Sequence, residues 1–137
     1  MFILSWYLDK MIYFLKYIFN ISILALIVLS LFPGSLLGLF FYGDLGQQPD
    51  LIKNPYGTTI NHFISYLYVS ILGLFVYLET KKFNLILYQL LFLSAILEIL
   101  QFIIPNRAFQ LGDLIGNFLG VLVAYFLIKI YLFVKRL

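Results

Sequence analysis

The chain has no cysteine and very little charge. The absence of cysteine excludes disulfides, thiolate metal ligands and thiol nucleophiles. Charged residues make up 11% of the 137 positions and hydrophobic residues 64%, whereas about a quarter of the residues in a typical soluble domain are charged. The composition is therefore that of an integral membrane protein, and the length predicts one small membrane domain over residues 1–137.

Several functional signatures are also missing. The net charge is only +3, and no basic block is large enough to form a phosphate-binding face, so we expect no nucleic-acid partner. The sequence contains no Gly-rich phosphate loop, no G-x-S-x-G and no H-E-x-x-H. A single histidine with two carboxylates is a weak metal pattern, so we predict neither a metal nor a cofactor.

Four segments are apolar enough to cross a bilayer core, which takes about 20 helical residues. They cover about residues 13–31, 60–78, 83–104 and 114–133. The N-terminal MFILSWYL is too short to span, so we predict a short interfacial helix with Trp6 and Tyr7 at headgroup level. The later SLLGLFFYG either extends the first helix through a kink or lies along the membrane surface. The fold predicted is an all-α, four-helix transmembrane bundle.

The distribution of Lys and Arg predicts the orientation of this bundle. Cationic residues cluster at the N-terminal flank, in the second loop and at the C-terminal flank: Lys10, Lys16, Lys81, Lys82, Lys129, Lys135 and Arg136. The first and third loops carry only one each, Lys53 and Arg107. The positive-inside rule therefore predicts a multi-pass protein of the cytoplasmic (inner) membrane with both termini in the cytoplasm.

This orientation brings the polar residues of three spans and one loop to a single depth near the outer face. They are His62, Tyr66, Glu98, Gln101, Arg107, Asp113 and Asn117. A carboxylate inside a membrane costs about 2.5–3.5 kcal/mol on insertion scales, so Glu98 should face the bundle interior and find a partner. Arg107 is the natural counter-charge for Glu98 or Asp113.

The residue types in this group suit acid–base chemistry. We predict His62, Glu98 and Asp113 as candidate catalytic groups, because a histidine and two carboxylates in one partly dry pocket can exchange protons. Candidate ligand-binding residues are Tyr66, Gln101, Arg107 and Asn117. The structural alternative is a polar clasp that locks helices together, in which Asp113 caps the fourth helix and His62 is a satisfied interfacial residue.

Gly112, Gly116 and Gly120 form a G-x-x-x-G-x-x-x-G stripe beside the Asp113 and Asn117 face. Such a stripe lets another helix backbone approach closely. We predict that these glycines seat the fourth helix against a neighbouring helix of the same chain. A homodimer contact is the alternative, and the sequence leaves the oligomeric state open.

Four motifs resemble those of the VanZ-like family of small membrane proteins. They are NHFISY at 61–66, EILQ at 98–101, PNRAF at 105–109 and GDLIGNFLG at 112–120, and the resemblance covers about residues 58–125. The family pattern often places an Asp-Lys pair four and three residues before the histidine. Thr58 and Thr59 occupy those positions here, so the chemistry of that pair is not carried over.

The resemblance implies an integral cytoplasmic-membrane protein whose namesake is associated with tolerance of the glycopeptide teicoplanin. Teicoplanin acts outside the membrane on lipid-linked cell-wall precursors. The leading hypothesis is therefore an outward polar pocket that binds or modifies a lipid-linked precursor or a glycopeptide. The alternatives are a non-catalytic membrane scaffold and a small transporter. The transporter is less favoured because no polar relay reaches the cytoplasmic side.

Overall fold

Helices form all the regular secondary structure in the part of the chain that the computed structural model describes, residues 2–50, 52–53 and 55–136. They are α1 (Phe2–Leu31), α2 (Leu36–Tyr42), α3 (Thr59–Val76), α4 (Phe83–Leu100) with a 3-10 turn (Gln101–Ile103), and α5 (Leu111–Lys135). Four segments are long and apolar enough to cross a membrane: Lys10–Leu31, Thr59–Val76, Phe83–Ile103 and Leu111–Lys135. The all-α prediction with four spans is confirmed.

The first helix differs from its prediction. α1 is one continuous helix of 30 residues, so the prediction of a separate short N-terminal helix is wrong. Phe19 packs on Gly73 and lies edge-on to Tyr77, which ends α3. The first four turns of α1 therefore extend beyond the turn between α3 and α4. Tyr7 in this extension is exposed, whereas the side chain of Trp6 lies outside the described residues.

The ambiguous segment after Pro33 forms the separate helix α2. Ser35 caps its start by accepting a hydrogen bond from Gly38 N at 2.9 Å, and Gly43 ends it with a left-handed φ of 71°. The loop after α2 folds back and forms hydrogen bonds with the residue before α2 and with the first turn of α3. Leu45 O accepts a hydrogen bond from Ser35 N at 2.8 Å, and Asn61 of α3 donates to Pro49 O at 2.7 Å. This loop therefore closes over the start of α3.

The closest pair of helices is α3 and α5, and the glycine stripe lies between them. A Cβ added at Gly116 would lie 2.6 Å from Thr59 O, and one added at Gly120 would lie 2.6 Å from Phe63 O. Only glycine permits such an approach of two helix backbones. Because α3 covers Gly116 and Gly120, these glycines are not available for a homodimer contact.

The hydrophobic core lies where α3, α4 and α5 meet and continues along one face of α1. Its most buried members are Leu74, Leu90, Val121 and Ala124. No more than 39% of the residues in any span are buried inside the bundle. Many of the other apolar side chains, such as Phe92, Leu119 and Phe126, are exposed, which suits a lipid environment. The core holds the start of α3, the end of α4 and the start of α5 at one end of the bundle, and the polar residues meet there.

Candidate functional site

His62 is the centre of a polar cluster where the start of α3, the end of α4 and the start of α5 meet. Its Nδ1 lies 3.0 Å from Asn117 Oδ1 and 3.9 Å from Glu98 Oε2, and its Nε2 lies 3.4 Å from Asp113 Oδ2. Glu98, Asp113 and Asn117 are all buried. The structure therefore brings together all three candidate acid–base residues, one each from α3, α4 and α5.

The orientation of the Asn117 amide determines where His62 carries a proton. Asn117 Nδ2 donates to Ser94 O at 3.2 Å, and a carbonyl oxygen can only accept. Asn117 Oδ1 therefore faces His62, and Nδ1 of the imidazole must be the donor. Nε2 then faces a carboxylate oxygen of Asp113. This contact becomes an ion pair when the imidazole is protonated at both nitrogens.

Two threonines that sequence reasoning did not place in the site hold Asp113. Thr58 Oγ1 donates to both carboxylate oxygens, at 3.3 and 3.1 Å, and Thr59 Oγ1 donates to Oδ1 at 3.0 Å. Hydroxyl donors on both oxygens suit an ionised carboxylate. Asp113 thus bonds to α3 and does not cap α5, whose N-cap is Gln110 with no side-chain cap bond.

The sequence signal for these threonines was only their position, one helical turn before His62. Residues spaced i, i+3 and i, i+4 share a helix face, so Thr58 and Thr59 reach the same neighbour as His62. The Asp-Lys pattern of the family predicts no role for threonine at these two positions. The structure instead gives these two positions a hydrogen-bonding role toward Asp113.

Glu98 has one satisfied and one unsatisfied oxygen. Oε1 accepts a hydrogen bond from the backbone N–H of Gln110 at 3.1 Å, which places a carboxylate at the start of α5, where the helix dipole favours it. Oε2 is fully buried and has no hydrogen-bond partner among the described residues. The nearest ring nitrogen of His62, Nδ1, lies 3.9 Å from Oε2.

Arg107 does not pair with the carboxylates as predicted. Its Nε donates to Phe32 O at 3.2 Å and its Nη2 to Leu29 O at 2.6 Å. These carbonyls belong to the last turn of α1 and the residue after it, where helical partners are lacking. Burial lowers the pKa of the Arg107 guanidinium, and the nearby Glu98 carboxylate offsets only part of this shift. The side chain therefore ties the loop between α4 and α5 to α1.

Arg107→Ala should destabilise the bundle by about 2–3 kcal/mol, because it removes two hydrogen bonds made by a charged donor. Arg107→Lys should recover only part of this loss, since an ammonium cannot reproduce the planar fork that reaches both carbonyls. Thermal unfolding of purified variants in detergent measures both effects. Lysine and alanine variants of equal stability would contradict this role.

A cavity of about 260 Å³ lies between α1, α2 and α3 beside the cluster. Its polar wall includes Ser30, Gln48, Asn61, His62, Tyr66 and Arg107, and its apolar wall includes Ala25, Leu26, Leu29 and Val69. Glu98, Asp113 and Asn117 do not line it. His62 therefore separates the cavity from the buried carboxylates behind it.

The other predicted ligand-binding residues divide between the cavity and the core. Tyr66 lines the cavity and donates its hydroxyl to Leu93 O at 3.3 Å. Gln101 is buried in the 3-10 turn after α4 and is not a wall residue. Within the described ranges, no group of three or more His, Asp or Glu side chains is arranged to hold a metal ion.

This arrangement can bind an anion and exchange a proton at one place. Arg107 has five N–H donors, of which two are engaged by α1, so the others remain for an oxyanion in the cavity. His62 can pass a proton between the cavity and the carboxylates, because it contacts both sides. The apolar wall formed by α1 suits a hydrocarbon chain next to such an anionic group.

Comparison with known proteins agrees with the resemblance of the motifs. The family model described as VanZ/LLP1 matches residues 2–133. The match includes the first fifty residues, in which no motif was recognisable, and so takes in α1 and α2 together with the polar cluster. No curated protein and no solved structure matches the chain.

Proposed function

The chain belongs to the VanZ/LLP1 family, and we propose that it acts at the outer face of the cytoplasmic membrane in cell-envelope function or glycopeptide tolerance. In this proposal, the cavity between α1, α2 and α3 binds a lipid-linked envelope molecule that carries an anionic group. The family and the four apolar helices support a multi-pass membrane protein. The nature of the ligand and the link to teicoplanin are parts of the proposal that go beyond the family and the helices.

The observation that carries this proposal is that Arg107 and His62 line the same cavity as the apolar side chains of α1. A guanidinium with free N–H groups matches the geometry of a phosphate or carboxylate. A small cavity with an apolar lining and a few convergent polar groups is the usual form of a ligand site. A lipid-linked phosphate has both features, a charged group and a hydrocarbon chain.

If the protein catalyses a reaction in the cavity, His62 is the residue that would transfer the proton. Of the three candidate acid–base residues, only His62 lines the cavity, whereas Glu98 and Asp113 lie behind it. The carboxylates would then orient His62 and balance its charge while His62 transfers the proton. Thr58 and Thr59 would act one step further away by fixing the Asp113 carboxylate.

The second candidate is a non-catalytic membrane scaffold in which these polar residues are an interhelical clasp. One observation favours it: Glu98, Asp113 and Asn117 are almost fully buried and bond within the fold. Such a clasp would need no ligand in the cavity. The two candidates therefore differ in whether the cavity must stay open for function.

Filling the cavity distinguishes the two candidates. Ala25→Leu adds apolar volume on the α1 wall without touching the polar cluster, and Ala108→Leu makes the same change at an exposed loop position. We expect cells that express wild type or Ala108→Leu to survive teicoplanin better than cells without the protein. Cells with Ala25→Leu should lose this advantage at an unchanged protein level in the membrane.

The same cultures test the scaffold. If Ala25→Leu protects as well as wild type, and protection only follows protein level across Glu98→Gln and Arg107→Lys, the clasp explains the polar residues and the cavity proposal fails. If wild type gives no protection, the glycopeptide link does not apply to this chain. Binding of a lipid-linked precursor would then have to be measured directly on the purified protein.

A further inference from the structure

A second cavity lies at the opposite, predicted cytoplasmic end of the bundle, between α1 and α4. Its volume is about 490 Å³. Its wall is mainly apolar, with Ile23 from α1 and Leu85, Phe92 and Leu93 from α4, and it also holds the polar residues Asn20, Lys82 and Gln89. We call this cavity the α1–α4 groove. It shares no wall residue with the cavity that His62 lines.

Two carboxamide side chains in the groove have no hydrogen-bond partner among the described residues. Asn20 and Gln89 lie within the spans Lys10–Leu31 and Phe83–Ile103, and both are exposed. Neither amide makes a hydrogen bond to any part of the chain that the structure describes. Unpaired polar groups are costly at membrane depth. Whatever fills the groove in a bilayer should therefore offer hydrogen-bond acceptors at this level.

The mouth of the groove is cationic. Lys82 stands immediately before α4, is exposed, and forms no ion pair with any described acidic residue. Lys16 lies over the ring of Tyr77, another wall residue, at 5.5 Å. The acidic residue of the adjacent turn, Glu79, is already paired with Lys135 at 3.0 Å. An anionic group at the mouth would thus meet two lysines and no free carboxylate from this turn.

We propose that the α1–α4 groove binds one anionic diacyl phospholipid from the cytoplasmic leaflet. Its phosphate lies at Lys82 and Lys16, and its ester carbonyls accept hydrogen bonds from Asn20 and Gln89. At a rise of about 1.5 Å per residue, Asn20 lies about 6 Å deeper than Lys16, and Gln89 about 10 Å deeper than Lys82. The depth of Asn20 suits the glycerol ester region below a phosphate, and the longer side chain of Gln89 reaches the same region when it extends toward Lys82. One acyl chain then lies along Leu85 and Phe92.

This proposal is independent of the function of the outer cavity, since it rests on other residues at the other end of the bundle. It does depend on the orientation predicted from the lysines. A second copy of the chain could also cover two amides, but it would bring a second set of like charges to the mouth. Charge complementarity therefore favours the phospholipid.

The test uses the full chain purified in detergent, where no membrane surface attracts the lysines. Native mass spectrometry measures the binding of added phosphatidylglycerol and phosphatidylcholine to wild type, Lys82→Ala, Gln89→Leu and the matched control Lys81→Ala, whose lysine does not line the groove. We expect one phosphatidylglycerol per chain, bound more tightly than phosphatidylcholine. Lys82→Ala should weaken this binding about fivefold, the contribution of one lysine at an anionic lipid surface.

The other variants separate the two parts of the site. Gln89→Leu should weaken the binding of both lipids several-fold, because it removes the amide and keeps an apolar wall, whereas Lys81→Ala should bind both lipids as wild type does. Equal affinity for the two lipids would overturn the proposal, as would an equal effect of the two lysine variants. A dimer that is lost in Gln89→Leu, with no bound lipid, would identify a second copy as the occupant and would also overturn it.

Discussion

Adding a single methyl group at Gly116 or Gly120 should destabilise the bundle by about 2 kcal/mol, whereas the same change at Gly112 should cost much less. A Cβ at Gly120 would lie 2.6 Å from Phe63 O and 2.8 Å from Leu67 N, and one at Gly116 would lie 2.6 Å from Thr59 O. These contacts are with backbone atoms of α3, so the two helices must separate. At Gly112 the added methyl would meet only the Thr59 hydroxyl, at 2.9 Å.

The three alanine variants lie on one helix, and Gly112 is in its first turn, where alanine gains less helix propensity than at Gly116 or Gly120. Propensity alone would therefore favour the opposite ranking. Heating the purified variants in detergent, followed by size-exclusion chromatography of the heated samples, ranks the three variants by thermal stability. The separation of α3 from α5 should also move Asp113 and Asn117 away from His62, so Gly116→Ala and Gly120→Ala should disturb the cluster. An equal loss of stability at all three positions would contradict the close packing of these helices.

His62→Leu should have the other large effect. It should lower the free energy of unfolding by about 3–5 kcal/mol, because a buried carboxylate that loses its partner is strongly destabilising. The variant removes the group that faces Asp113 at 3.4 Å and Glu98 at 3.9 Å. Leucine has nearly the volume of histidine, so the loss of packing is small. The two carboxylates would then be buried without the imidazole, and Glu98 would keep only the nearby Arg107 as a counter-charge.

Neutralising the carboxylates tests this explanation. In the His62→Leu background, Asp113→Asn and Glu98→Gln together should restore much of the lost stability, since they remove the buried charges and keep the hydrogen-bonding shapes. Chemical unfolding in detergent can compare the single, double and triple variants. If the triple variant is no more stable than His62→Leu alone, the charge on the carboxylates is not what His62 compensates.

The sequence was sufficient to predict the spans and the convergence of the polar residues. Apolar runs of about 20 residues mark the helices directly. The positions of the lysines then determine which helix ends lie at the same face, and this placed His62, Glu98 and Asp113 at one depth before any distance was known. Helical spacing also placed the glycine stripe beside the face that carries Asp113 and Asn117, and in the structure this stripe lies against α3.

The cavity could not be predicted in the same way. It depends on α2 and on the loop that folds back through bonds from Ser35 to Leu45 and from Asn61 to Pro49. These contacts follow no periodic pattern. As a result, the sequence grouped all seven polar residues in one pocket, whereas only His62, Tyr66 and Arg107 of that set line the cavity.

Arg107 and the N-terminal segment illustrate two further limits of sequence reasoning. Charge pairing suggested a carboxylate partner for Arg107, but the carbonyls at the end of α1 are also strong acceptors and lie close to the loop. The prediction of a separate N-terminal helix used the length of a span. It did not take into account that a helix with no breaker can continue past the length of a span, as the 30-residue α1 does.

The most direct test of the outer site uses the fact that the chain has a single histidine. With histidine labelled by ¹⁵N, the detergent-solubilised protein gives the NMR signals of one imidazole, that of His62, without further assignment. We predict a protonated Nδ1, and a shift of both ring signals when a polyprenyl-linked cell-wall precursor is added to wild type but not to Ala25→Leu. Ring signals that stay unchanged in wild type at saturating precursor would contradict the proposal that the ligand occupies the cavity beside His62.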